Sequence, residues 1–95
     1  MSLGPQARTI VYSPEAEEVL KSEIEGNKSL ELLYRGLEWT LSRSPFRGRE
    51  LNYQNHKFWL YELVPNRDDL PTIQVVYSVQ KNKVTIEFLN IDSSE

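Results

Sequence analysis

Apolar residues recur along this 95-residue chain with two different periods, and the point where the period changes divides it into two parts. Arg8-Thr9-Ile10-Val11-Tyr12 is short, β-branched and aromatic, and predicts a strand. Ser13-Pro14 follows at once. The serine hydroxyl suits an N-cap, accepting from an unpaired backbone N–H, and proline loses nothing at the first helical position. Glu15, Glu17 and Glu18 then set negative charge at the positive end of the helix dipole. Ala16, Val19, Leu20 and Ile24 form one apolar stripe, and Gly26-Asn27 supplies the stop. A second helix is predicted from about Lys28 to Ser42, with Leu30, Leu33, Tyr34, Leu37 and Leu41 as its stripe. Leu32 and Trp39, seven residues apart, lie on a neighbouring face. Burial of this helix on two sides is the plainer reading of that pair, and a partner-binding strip is the functional one.

Ser44-Pro45 ends the second helix, because the residue before proline is biased out of helical geometry. Phe46 to His56, rich in Arg, Asn and Gln, reads as an irregular connection. The period then becomes two. Phe58, Leu60 and Glu62 alternate with Trp59, Tyr61 and Leu63, a strand apolar on both faces and therefore interior. Pro65 to Pro71 is a polar turn. Ile73, Val75, Tyr77 and Val79 make the buried face of the next strand, Gln80 to Lys83 turns the chain, and Val84, Ile86 and Phe88 complete the last. The expected order is β-α-α-β-β-β: one α+β domain over residues 1–95, an N-terminal strand and helical hairpin on a small antiparallel sheet. Residues 1–7 and 92–95 read as frayed tails.

Composition narrows the chemistry. Hydrophobic residues are 39% and charged residues 26%, as in an ordinary globular domain. There is no cysteine, which removes disulfides, thiolate metal sites and thiol catalysis together and is compatible with a cytoplasmic location. No apolar run approaches a membrane span. One histidine without helically spaced carboxylates argues against a metal site. Asp68-Asp69 reads as a solvated turn. Gly26, Gly36 and Gly48 are isolated, so no phosphate-cradling loop is present, and no cofactor is expected.

The formal charge is −3, so any nucleic-acid contact must come from a local patch. Arg43, Arg47, Arg49, His56 and Lys57 cluster in sequence around the connection between the second helix and the next strand, with Arg67 further on. Beside Phe46, Tyr53, Phe58 and Trp59 they could hold phosphates while rings stack on bases. An exposed loop solvated by its own charges explains the same cluster. Tyr77 reads as a core aromatic, and His56 as either a proton carrier near neutrality or an incidental loop residue.

Several of these pieces together resemble the RelE/ParE-type toxins. They are Ile10 to Ala16, the helical hairpin to Leu41, Ser44-Pro45 before a loop containing Gly48, and Ile73-Gln74-Val75-Val76-Tyr77-Ser78-Val79. A tight turn and Val84-Thr85-Ile86-Glu87-Phe88-Leu89 complete the pattern. The resemblance runs from about Thr9 to Ile91. It implies a RelE-like fold and a role in a toxin–antitoxin or plasmid-stabilisation pair, with an antitoxin that wraps the toxin. Members similar to RelE cleave messenger RNA in the ribosomal A site, and members similar to ParE act on DNA gyrase. RNA-cleaving members use basic side chains on the sheet and a basic or aromatic tail. Here Glu62 and Gln74 stand where basic residues are expected, and the chain ends Asn90-Ile91-Asp92-Ser93-Ser94-Glu95. A carboxylate near a phosphodiester raises the barrier to cleavage. The expectation is therefore a toxin-fold protein with weak, altered or absent endoribonuclease activity. Arg47, Arg49, His56, Lys57 and Arg67 are the cations available to it. A non-catalytic interaction module on the same fold, binding a peptide across the hairpin and sheet groove, is the alternative. A third reading is an unrelated α+β domain.

Overall fold

A computed structural model describes residues 7–92. Strand β1 (Thr9–Tyr12) leads through Ser13 into helix α1 (Pro14–Val19). The Ser13 hydroxyl accepts from the Ala16 N–H at 3.1 Å, and proline takes the first helical position, as the sequence predicts. The winding then loosens into a π-helical turn over Leu20–Ile24. Gly26, at φ +94°, ends it, and the Asn27 side chain accepts from the Leu30 N–H to cap α2 (Lys28–Arg43). A 3₁₀ turn (Pro45–Arg47) connects to strands β2 (Arg49–Tyr53), β3 (His56–Leu63), β4 (Thr72–Val79) and β5 (Lys83–Asp92).

The five strands form one mixed sheet in the order β1-β5-β4-β3-β2. The last four are antiparallel neighbours, and β1 joins the far edge parallel to β5. The class is α+β. The expected β-α-α-β-β-β order lacks one strand, however. Residues 49–53 belong to β2, and the supposed irregular connection is largely a hairpin. Its two-residue turn, Gln54-Asn55, has both φ angles positive (51° and 67°), the twist that suits adjoining strands. Asp92 pairs with Thr72 at the end of β5 and is no part of a frayed tail. The expected tails 1–6 and 93–95 lie outside the described residues.

Both helices cover one face of the sheet. Ala16, Ile24, Leu30, Tyr34, Leu37 and Leu41 meet Ile73, Val75, Tyr77, Val84, Ile86 and Leu89, all essentially removed from solvent. Phe88, expected in this core, is not there. Val76 pairs with Phe88 but Tyr77 pairs with Ile86, so Glu87 is an extra residue in β5. Such a bulge reverses the facing of every later side chain. Leu89 and Ile91 therefore turn toward the helices, and Phe88 emerges on the opposite face. The bulge is anchored from outside the hairpin. The Ser13 backbone N–H donates to the Ile86 carbonyl at 2.9 Å, and its hydroxyl donates to the Glu87 carbonyl at 2.7 Å.

Candidate functional site

Among the described residues nothing covers the sheet face away from the helices. Register places Arg49, Leu51 and Tyr53 of β2 on it opposite Leu60, Phe58 and His56 of β3. Glu62 lies opposite Gln74, and Gln74 opposite Asn90. Their side chains form a polar ladder across three strands. Gln74 donates to the Glu62 carboxylate at 2.7 Å, and Asn90 donates to the Gln74 carbonyl oxygen at 2.8 Å. Glu62, expected to stand bare where a toxin needs a cation, is thus held by an amide. Below this ladder the face turns apolar. Leu51, Tyr53, Phe58, Val76 and Phe88, with Glu87 at the rim, line an open groove of about 510 Å³. Tyr53 and Phe88 are each 65% exposed within it. An apolar concavity of this kind is a candidate contact site. Leu51 went unremarked in the sequence because its strand did, and Phe88 was read only as part of the last strand because plain alternation sets it beside Val84 and Ile86.

The basic residues do not converge on this face. Arg49 and His56 point to it from opposite ends of the β2–β3 pairing, four residues apart along β2, about 13 Å. Lys57 lies on the other side, in an ion pair with Glu50 at 3.4 Å. Arg67 is in the β3–β4 connection, bonded to Asp69, whose carboxyl it holds below the usual range. Arg43 sits at the end of α2 with its guanidinium 4.4 Å from the centre of the Trp39 ring, and Arg47 is exposed in the 3₁₀ turn. The five residues that cluster along the chain, and Arg67 beyond them, therefore scatter over both faces of the sheet, the β3–β4 connection, the end of α2 and the 3₁₀ turn.

The helical layer corrects a further expectation. Leu32 and Trp39 are 70% and 60% exposed, so α2 is not buried on two sides. Among the described residues nothing packs over it: α2 lies on the sheet by one stripe, and its remaining face meets solvent. Near its middle, Tyr12 donates to the Glu38 carboxylate, and Tyr34 donates to the Tyr12 hydroxyl oxygen at 2.8 Å. Burial pushes both phenols well above their ordinary range, helped by the neighbouring carboxylate, so neither is a proton donor near neutrality. Tyr77 is fully buried. It donates to the Pro45 carbonyl at 2.6 Å and accepts from the Gly48 N–H at 3.3 Å, and burial raises its pKa to about 12. It locks the 3₁₀ turn to the sheet and has no route to substrate, as its reading as a core aromatic predicts.

No three His, Asp or Glu side chains among the described residues gather closely enough to hold a metal ion. No described helix is long and apolar enough to cross a membrane. Comparisons with models of protein families, with curated protein sequences and with solved structures returned no match.

Proposed function

We propose that this chain is a RelE/ParE-like toxin-fold protein of a toxin–antitoxin pair that works by binding, with weak or absent cleavage of messenger RNA. The observation that carries the reading is the open sheet face. One side of the sheet is sealed by the strand–helix–helix unit, and the other offers an apolar groove walled by Leu51, Phe58, Val76 and Phe88. An amphipathic antitoxin-like segment fits such a groove by burying its apolar side, with Arg49 and His56 at the rim to meet acidic residues. Weak cleavage follows from the same face. The Glu62–Gln74–Asn90 ladder presents acceptors and amides where a scissile phosphate needs cations, and the two basic residues of the face, Arg49 and His56, start from opposite ends of the β2–β3 pairing. Induced expression in a bacterial host, with growth and ribosome-bound messages followed together, tests the proposal. Slowed growth with intact messages is the expected result. A-site cleavage would contradict the reading of the sheet face.

The second reading is a non-catalytic protein-interaction module on this fold, with no toxicity. The scatter of the cations and the polar ladder favour it equally. Unimpaired growth would select it.

A further inference from the structure

The solvent face of α2 carries a feature that the open sheet face does not explain. Helix interiors disfavour glycine by about 1 kcal/mol relative to alanine, and structures usually repay that cost by close packing. Gly36 lies in the middle of α2, exposed, and a methyl group there would meet nothing within 4 Å. Packing gives no reason for it. One turn later stands Trp39, 60% exposed, and helical side chains lean toward the N-terminus over the preceding turn. The missing side chain at position 36 therefore leaves clear the surface beside the indole.

Cations attend this ring and its aromatic neighbour. The Arg43 guanidinium lies 4.4 Å from the Trp39 ring centre, and the Arg8 guanidinium lies 5.7 Å from that of Phe46, which is also 60% exposed. Ser42 ties the two pairs together. Its hydroxyl accepts from Arg43, and its carbonyl accepts from the Arg8 backbone N–H. Phe46 is braced from behind by an edge-on contact with Trp59, at 5.2 Å between centroids. Arg47 adjoins it in the 3₁₀ turn, and no ion-pair partner for Arg8, Arg43 or Arg47 occurs among the described residues.

We propose that this end of α2, with the adjoining 3₁₀ turn and Arg8, is a binding platform for single-stranded nucleic acid. Bases stack on Trp39 and Phe46 and on the guanidinium planes over them, while Arg8, Arg43 and Arg47 take phosphates. Exposed ring faces alternating with cations are what a base–phosphate repeat needs. An acidic peptide would satisfy the cations but leave the rings wet. Duplex nucleic acid hides its base faces and gains nothing from the rings. The platform lies on the helical side of the molecule, away from the groove, so it stands or falls apart from the toxin-fold reading.

The test uses a fluorescein-labelled ten-nucleotide oligouridylate, followed by anisotropy over a range of salt. Three phosphate contacts give a log–log salt slope of about −2. Trp39→Ala and Arg43→Glu each weaken binding at least about fivefold, whereas Lys28→Glu, the same charge change at the start of α2, leaves it nearly unchanged. Gly36→Leu separates recognition from folding: the helix keeps or gains thermal stability while binding falls. Wild-type binding that is absent at low salt, or that survives Trp39→Ala and Gly36→Leu, overturns the proposal. So does a ten-residue oligoglutamate that binds in a Trp39-dependent way where the oligonucleotide does not, because the platform then serves an acidic protein segment.

Discussion

Gly48 follows the 3₁₀ turn at a point where only a hydrogen atom fits. A methyl group there would come within 2.6 Å of the Leu60 carbonyl oxygen and 2.7 Å of the Tyr77 hydroxyl. Neither neighbour can yield, since one is sheet backbone and the other is pinned to Pro45. Gly48→Ala is expected to lower unfolding free energy by about 1–3 kcal/mol in a denaturant titration, although its φ of −72° suits any residue. Three phenols tie stability to pH: Tyr34 and Tyr77 are buried and Tyr12 is partly buried. Tyr12, Tyr34 and Tyr77 all ionise less readily in the folded chain than in the unfolded one, mainly through burial. Their contribution is therefore complete below about pH 10, the unfolded value, and drains away above it, through about 12 for Tyr77 and higher still for Tyr12 and Tyr34. Thermal melts recorded between pH 8 and 11.5 should show a flat plateau and then a fall beginning near pH 10. Tyr77→Phe costs stability across the whole range, because it leaves the buried Pro45 carbonyl without its donor.

Among the elements, those that bury one stripe or one face were the legible ones. Ser13-Pro14, the Leu30–Leu41 stripe and the alternation Ile73–Val79 each state a local preference that agrees with the tertiary contacts. β2 states no such preference. It is an edge strand with four of five side chains exposed, and Arg49, Glu50 and Asn52 there carry little strand propensity. Its only local signal is the two-residue gap at Gln54-Asn55, where Asn tolerates positive φ and Gln does so poorly. Replacing the pair by Asn-Gly is expected to stabilise the hairpin by about 1 kcal/mol, read as a higher melting temperature with unchanged binding behaviour. The bulge in β5 was hidden for a different reason. Ile86-Glu87-Phe88-Leu89 offers an apolar residue to either face after the glutamate, so alternation alone cannot choose the phase. The choice is made at a distance, by Ser13 holding the Ile86 and Glu87 carbonyls.

Across the whole molecule, the two sides of the sheet divide the labour. The helical side carries the core, and the open side carries the groove. The site was less legible than the fold, because closeness in sequence stood in for closeness in space. Arg49 and Lys57 both belong to the β2–β3 hairpin, yet strand alternation sends them to opposite faces, and Arg67 is drawn off by Asp69. Leu51, Phe58, Val76 and Phe88 converge only once a missed strand and a bulge have set their facing. Because Leu51 and Phe88 reach solvent, their replacement by glutamate is expected to leave the fold intact while spoiling the groove. Growth of a bacterial host on induction of the wild-type chain, set beside growth on induction of the Leu51→Glu/Phe88→Glu variant, decides whether the groove acts on the cell. The wild type is expected to slow growth, and the variant, expressed and folded to the same extent, is not. A wild type without effect, or a variant as toxic as the wild type, would contradict this.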